Sequence, residues 1–376
     1  MSLEEETAEA NSFYFLPEFT FSNTTFRPAA GTELELADGV IWLDDRAVVF
    51  QIKERGVEET SLSDQQKWFK NKVLKQATRQ IKDTLRYLDA NPTIVAKNRR
   101  DQAVPLEKSR LRELHKVILY TCEGPYAYSP YHVSSSVGFI HIFRSDDYTG
   151  VLNTILTLAE LFEYLSWREH HLTEWPSAQH LPEQALLGHY LFGNFEKEPS
   201  IEDMAYVYSM QDNIEEWDVT GILHKFLDRS YEGHRDNQYH KILGEIAKLN
   251  RAGLRPFKER FKLSMEKARE NIFTLPYRFS ILRNDCGFLF IPLESKFRND
   301  RRKALVNLTH ACKYDQKVSK CIGLVCLADD DGWFTIDWCM IEYPWKLDTK
   351  LEQNLKNNFP FRTTKSTHLS RYTFSK

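Results

Sequence analysis

The residues with the clearest chemical potential are a carboxylate, an amide and an ammonium, at Asp38, Gln51 and Lys53. Carboxylate and amide oxygens are ligands that a hard cation such as Mg²⁺ prefers. A lysine ammonium can stabilise the negative charge that develops on a phosphate. Glu35, three residues before Asp38, adds a second carboxylate if the chain bends at Ala37. Together these groups predict metal-assisted hydrolysis of a phosphodiester bond.

Two strands joined by a tight turn are expected to position these residues. Gly39–Leu43 is a short apolar run, Asp44-Asp45 is a turn signal, and Ala47–Ile52 is a second run rich in β-branched and aromatic residues. Side chains alternate along a strand, so Gln51 and Lys53 share one face. A hairpin would bring them to the carboxylate of the first strand.

A long helix is expected after the hairpin. Ser63 and Gln66 form a capping-box pattern at its start, and Asn91-Pro92 ends it. One face of this helix is apolar and is expected to pack on the sheet: Phe69, Val73, Ala77, Ile81, Leu85 and Leu88. Its flank carries basic and amide side chains: Lys72, Lys75, Gln76, Arg79 and Gln80.

The spacing of Asp38 and Gln51-Ile52-Lys53 resembles the motif of the PD-(D/E)XK nuclease superfamily, which shares the restriction-endonuclease-like fold. The Gln-x-Lys form is similar to that of Mrr-type restriction enzymes. The resemblance includes the basic, Gln-bearing helix that family members place after the motif. Two positions depart from the family pattern, because Ala37 stands where the family name has Pro and Gln51 replaces an acidic ligand.

The resemblance implies that Asp38, Gln51 and Glu35 hold Mg²⁺ or Mn²⁺, and that the same three residues and Lys53 form the catalytic site. It implies nucleic-acid contacts for a further set of side chains: Arg55, Lys72, Lys75, Gln76, Arg79 and Gln80. The implied partner is nucleic acid, with DNA favoured. The implied biological setting is restriction or phage defence.

The same residues also admit structural interpretations. Asp38 can be a turn residue at the entry of a strand, Gln51 a polar residue of an edge strand, and Lys53 a surface cation. Glu33 can replace Glu35 as a ligand. The alternatives to a nuclease are therefore a catalytically degenerate module of the same fold that binds nucleic acid or a protein partner, and a scaffold whose C-terminal module binds a partner.

Other metal-site patterns in the sequence are weak. Glu169-His170-His171 has the residue types of metal ligands, but adjacent helical positions point about 100° apart and chelate poorly together. The six cysteines include no CxxC pair, which argues against structural zinc and for a reducing compartment.

The charge distribution restricts where nucleic acid could bind. The net charge of the 376 residues is −3, so no global positive field attracts the protein to nucleic acid. Residues 46–116 nevertheless carry 17 Lys and Arg against nine Asp and Glu, next to the predicted site. The N-terminal segment lacks the apolar core of a secretory signal, and no apolar run approaches the roughly 20 residues of a membrane span. A cytoplasmic location without membrane attachment is expected.

The chain length and the order of elements predict more than one domain. Residues 1–11 are expected to be a disordered tail, and residues 12–170 a nuclease-like α/β domain with a restriction-endonuclease-like mixed sheet flanked by helices. Residues 171–270 are expected to form a helical connecting region, and residues 271–376 a C-terminal α+β module. A long helix is predicted at Thr149–Trp167. The sequence gives no indication of the oligomeric state.

Overall fold

The computed structural model of the protein describes residues 1–26, 34–56, 61–121, 129–210, 215–216, 218–223, 238–329 and 331–363. The chain divides into two compact units, Met1–Gln211 and Asp212–Lys376. The boundary falls within the stretch predicted to be helical. That stretch, residues 171–270, is not a unit of its own, because its first part belongs to the first unit and the remainder to the second.

The first unit is built on a mixed six-stranded sheet. The strands of this unit are β1 (Thr20–Phe26), β2 (Leu34–Leu43), β3 (Arg46–Glu54), β4 (Thr93–Lys97), β5 (Ala103–Glu107), β6 (Glu113–Thr121), β7 (Tyr131–Ser134) and β8 (Gly138–Arg144). The large sheet has the order β1-β2-β3-β6-β8-β7, with β6 parallel to both β3 and β8 and the other pairs antiparallel. Strands β4 and β5 form a separate two-stranded antiparallel hairpin.

Helices cover both faces of this sheet, as predicted for an α/β fold. The helices of the first unit are α1 (Leu3–Phe15), α2 (Leu62–Trp68), a π-helix (Phe69–Ala77), α3 (Thr78–Ala90), α4 (Ser145–Ile155), α5 (Leu158–Glu174), α6 (Glu183–Phe192) and α7 (Met204–Met210). On one face Phe50 of β3 contacts Tyr148 of α4, with ring centroids 5.7 Å apart. On the other face the π-helix and α3 pack against Ile118 and Ile142.

The apolar face predicted for the helix after the hairpin is confirmed. Phe69, Val73, Ala77 and Ile81 are buried and repeat every four residues. In an α-helix of about 3.6 residues per turn, a four-residue step overshoots one turn. The π-helix, with its i→i+5 bonds, winds more loosely, so the same step falls short of one turn. The angular offsets per four-residue step are opposite in sign in the α-helix and the π-helix. The apolar face therefore stays against the sheet where the π-helix joins α3.

Residues 1–11 are not a disordered tail, because residues 3–11 lie in α1 and Ser2 caps it. Ser2 caps this helix by accepting a hydrogen bond from the Glu5 backbone N–H, and Leu3 and Ala8 are buried. The acidic residues that suggested a solvated tail occupy the first turn, where the helix dipole favours negative charge. Asn11 accepts a hydrogen bond of 2.8 Å from the Tyr148 hydroxyl, which ties α1 to α4.

Two predicted helix boundaries are wrong for local reasons. The single helix predicted at Thr149–Trp167 is two helices, because Leu156 adopts a left-handed conformation (φ 54°) that ends α4. Thr157 then caps α5 through a 3.1 Å hydrogen bond from the Glu160 backbone N–H. The N-cap of α2 is Ser61, two residues before the predicted position.

The second unit has its own four-stranded sheet. Its strands are β9 (Tyr277–Ile281), β10 (Cys286–Leu293), β11 (Lys320–Ala328) and β12 (Phe334–Glu342), in the order β12-β11-β10-β9. Its helices are α8 (Gln238–Ala247), α9 (Arg251–Glu270), α10 (Arg301–Gln316) and α11 (Thr349–Asn357). Strands β10 and β11 are parallel and are linked by α10, whose Leu305 and Cys312 enter the core. Within the described part of both units, no helix combines the length and apolarity needed to cross a membrane.

Candidate active site

The predicted hairpin positions the candidate catalytic residues. Strands β2 and β3 pair from Leu43 and Arg46 at the turn to Gly39 and Phe50 at the far end. Asp44 in the turn has a left-handed conformation (φ 52°), which an aspartate tolerates better than most residues. Asp38 and Gln51 are the next residues beyond the last pair, so the sheet begins to open where the polar groups lie.

Asp38 is held by its neighbours on β3. Its side chain is 7% exposed, and its Oδ2 accepts a 2.6 Å hydrogen bond from the Ile52 backbone N–H. The same oxygen lies 3.2 Å from Lys53 Nζ, which also donates a 2.7 Å hydrogen bond to the Ile52 carbonyl. The carboxylate and the ammonium of the motif therefore form a partly buried ion pair, and the backbone fixes both members.

Glu35 reaches the same place because β2 contains a bulge. Thr24 and Thr25 of β1 pair with Ala37 and Glu35, so β2 takes two steps where β1 takes one. This shift offsets the strand alternation that would otherwise point Glu35 and Asp38 to opposite faces. The pKa of Glu35 is raised, first by partial burial and then by the negative charge of Asp38, while Lys53 opposes the shift. Glu33, the other candidate, lies outside the described residues.

Gln51 contributes a carbonyl oxygen without a hydrogen-bond donor. Its side chain is 3% exposed, and within the described part of the chain its Oε1 has no hydrogen-bond partner. Strand alternation places it on the face of Lys53, beside Ile118 of β6. A buried carbonyl left without a donor costs about 1–3 kcal/mol. A cation or a donor supplied by a ligand would satisfy this oxygen.

The sequence interpretation missed Glu4 of α1, which extends the acidic cluster. Its pKa is raised, first by partial burial and then by the charge of Asp38, with smaller contributions from Glu35 and Glu54 in the same direction and an opposing one from Lys53. The Leu3 backbone N–H donates a 3.2 Å hydrogen bond to Glu54 Oε2, which anchors the start of α1 on β3. The only sequence signal for Glu4 was an acidic first turn after a capping serine.

The predicted nucleic-acid contacts are less tightly placed. Four of them are exposed on the π-helix and α3: Lys72, Lys75, Gln76 and Arg79. Gln80 is half-buried, and Arg55 lies with its guanidinium 5.9 Å from the centroid of the Trp68 ring. Within the described residues, the raised pKa of Glu35 has no contribution from any of these side chains. In the described part of the chain, none of them forms a hydrogen bond or ion pair with the group that we call the Asp38 cluster: Asp38, Glu35, Glu4, Gln51 and Lys53.

A second group of ligand-type residues lies elsewhere in the first unit. Donor atoms of His115, His141 and Glu169 lie within 4.8 Å of one another. Glu169, which belongs to the pattern judged weak from the sequence, thus lies near histidines of β6 and β8. Arg168 Nη1 is 3.3 Å from His141 Nδ1, and because a guanidinium only donates, this nitrogen accepts. The proton of the neutral ring is therefore on Nε2, which leaves His141 no lone pair for a cation.

Burial and the charge of Arg168 hold the pKa of His141 far below its usual value, so the ring stays neutral. We interpret this second group as a polar core and not as a metal centre.

The Asp38 cluster has the donor set for a hard divalent cation. After partial burial, the charge of Asp38 raises the pKa of both Glu35 and Glu4, and the charge of Glu35 also raises the pKa of Glu4. Lys53 is the one cation that opposes both shifts within the described residues. Together with the unsatisfied carbonyl of Gln51, this set fits Mg²⁺ or Mn²⁺ by charge and by ligand chemistry.

No family model matches the sequence, and no curated protein and no solved structure matches it.

Proposed function

We propose that the first unit hydrolyses phosphodiester bonds in nucleic acid, with DNA favoured, and that it requires Mg²⁺ or Mn²⁺. The observation that carries this proposal is the position of the unsatisfied Gln51 carbonyl next to the Asp38–Lys53 pair, with further carboxylates bordering it. Foreign DNA, as in restriction or phage defence, is the substrate that the family resemblance favours.

Each residue of the cluster has a distinct role in this proposal. Asp38, Glu35 and Gln51 would hold the ion, which when bound offsets phosphate charge and lowers the pKa of a water molecule. The Ile52 N–H keeps the Asp38 carboxylate oriented. Lys53, held by the Ile52 carbonyl, lies beside this carboxylate and can stabilise the negative charge that develops on the phosphate.

The exposed cations of the π-helix and α3 suit the polyanionic substrate. Lys72, Lys75 and Arg79 are exposed on the helical segment that covers the face of Gln51 and Lys53. Exposed cations on this segment can contact phosphates that flank the scissile bond. Such contacts increase affinity and orient the substrate without reading its sequence.

A second candidate function is a module of this fold that binds nucleic acid or a protein partner without cleaving it. One observation favours it: Asp38 Oδ2 already accepts hydrogen bonds from both the Ile52 N–H and Lys53. A hairpin satisfied in this way is stable without an ion, and the neutral Gln51 weakens the attraction for one. Metal dependence separates the two candidates.

The test is cleavage of labelled single- and double-stranded DNA and RNA with Mg²⁺, Mn²⁺ or EDTA. Asp38→Asn keeps the size of the side chain and should abolish both metal binding and cleavage. Lys53→Met should retain metal binding and lose cleavage, because the lysine acts on the transition state. Asp89→Asn, which changes an exposed carboxylate 3.8 Å from Lys108, is the matched control and should behave as wild type.

Metal-dependent cleavage that is lost in Asp38→Asn supports the nuclease. Binding of nucleic acid without cleavage under every metal, at equal strength in all four proteins, contradicts it and favours the binding module.

A further inference from the structure

The second unit contains a fully buried lysine that the function proposed for the first unit does not use. Lys313, near the end of α10, is 0% exposed, and its Nζ has no hydrogen-bond partner within the described residues. The ammonium lies 3.6 Å from the centroid of the Tyr343 ring, a cation–π contact. Burial lowers the pKa of Lys313, and the charge of Asp285 partly offsets this effect. Asp285 itself accepts a hydrogen bond from the Ser319 N–H.

A buried ammonium without a hydrogen-bonded counter-ion is a destabilising feature. Replacing a buried charge by an apolar side chain of similar volume is commonly neutral or stabilising. A methionine at position 313 would fill the same space without the desolvation cost. The lysine is therefore explained better by an anion that it meets at least part of the time than by a role in the core.

Lys313 forms part of the wall of a cavity of about 470 Å³. The volume lies within the range of small-molecule sites. Two further lysines, Lys346 and Lys350, line the same cavity, against one carboxylate at Asp348. Asp348 Oδ1 is already engaged, because it accepts hydrogen bonds from the backbone N–H groups of Lys350 and Leu351 at 3.0 Å each. The charge of the cavity is thus positive and its acidic group is committed to capping α11.

Another part of the wall is made of aromatic side chains that contact one another. Trp345 stacks on Tyr314 with ring centroids 5.6 Å apart, and its Nε1 donates a 3.0 Å hydrogen bond to the Tyr314 carbonyl. Tyr343 and His310 lie together with centroids 5.7 Å apart. Flat aromatic side chains beside lysines are the combination that binds a base and its phosphate, because bases stack on aromatic rings and lysine attracts phosphate as a point charge.

We propose that this cavity binds a nucleotide, with the phosphate directed to Lys313 and the lysines around it and the base against the aromatic side chains. The site belongs to the second unit and does not depend on the Asp38 cluster. Sequence reasoning could not find it, because Lys313 in the last turn of a helix has the pattern of an ordinary dipole-stabilising cation.

The test is calorimetric titration of the full chain in EDTA with AMP and GMP, with ribose 5-phosphate as the probe without a base and adenosine as the probe without a phosphate. The nucleotides should bind more tightly than either partial probe. Lys313→Met should weaken nucleotide binding about ten- to a hundredfold, as expected for the loss of a charge-assisted hydrogen bond, without lowering the melting temperature. Lys303→Met, an exposed position on the same helix, is the control and should bind as wild type.

Several results would overturn the proposal. These are no nucleotide binding by the wild type, equal binding by Lys313→Met, and ribose 5-phosphate binding as tightly as the nucleotides. If Lys313→Met lowers the melting temperature, Lys346→Gln decides, because it changes an exposed residue of the same cavity and should also weaken binding. Asp38→Asn should bind nucleotide as wild type, so failure of the nuclease proposal and failure of this one are distinguishable.

Discussion

Mg²⁺ should stabilise the first unit, and its effect should depend on Asp38 and Glu35. When the free ion concentration is ten times the dissociation constant, binding stabilises the folded state by about 1.4 kcal/mol. For a unit of the length of Met1–Gln211, 1 kcal/mol corresponds to about 2–4 °C in melting temperature. The expected rise is therefore about 3–6 °C. Because Gln51 is neutral, we expect this to need millimolar Mg²⁺, or less Mn²⁺, which binds such sites more strongly.

The assay is differential scanning calorimetry of the full chain in EDTA, Mg²⁺ and Mn²⁺ at constant ionic strength. Asp38→Asn should lose the rise, and Glu35→Gln should reduce it. In EDTA, Glu35→Gln should melt no lower than wild type, because the substitution removes a charge that is disfavoured first by partial burial and then by repulsion from Asp38. Asp89→Asn should respond as wild type. An equal rise in Asp38→Asn and wild type would refute the assignment of the ion to this cluster.

Three further results are expected. The folded state raises the pKa of Glu35 above its ordinary value of 4.5. The stability that this group contributes is therefore fully present below pH 4.5 and is lost as the pH rises through the folded-state pKa. Urea midpoints measured in EDTA from pH 4 to 7 should show this fall, and Glu35→Gln should flatten it. Replacing Lys72, Lys75 and Arg79 by Ala should weaken binding of labelled DNA and reduce the salt slope by about 0.9 for each lost phosphate contact; an unchanged slope means that these side chains are only solvated. Ile81→Ala should lower the free energy of unfolding in urea by about 2–5 kcal/mol, because Ile81 is 0% exposed and packs against the sheet. A loss below about 1 kcal/mol would contradict the packing of Ile81 against the sheet.

The hairpin could be predicted from sequence because its signals are local. The alternation in Ala47–Ile52 and the two aspartates of the turn determine which residues face each other, and the pairing of Leu43 with Arg46 follows. The same holds for the apolar face of the following helix, whose four-residue repeat is visible in the sequence. The repeat does not reveal that part of the helix is a π-helix.

The other parts of the site depend on contacts between distant segments. The bulge that turns Glu35 toward Asp38 exists only in the pairing of β2 with β1, and β1 has no strong pattern of its own. Glu4 joins the cluster because α1 docks on β3 through Leu3 and Glu54. The burial of Lys313 likewise follows from the packing of α10 near Tyr343 and not from the residues around it in the chain.

The position of Glu4 changes how the neutral Gln51 should be understood. From the sequence, Gln51 stands where the motif that it resembles has an acidic residue, so Asp38 and Glu35 are the only carboxylates that the sequence interpretation assigns to the site. In the structure, α1 brings a third carboxylate, Glu4, close enough to Asp38 and Glu35 for their charges to raise its pKa. Its raised pKa shows that adding negative charge here already costs free energy in the absence of an ion. A glutamate at position 51 would increase that repulsion, whereas the glutamine carbonyl offers an oxygen ligand without charge. A neutral residue at position 51 is therefore compatible with the proposed cation site, and it fits the number of carboxylates that the fold brings together.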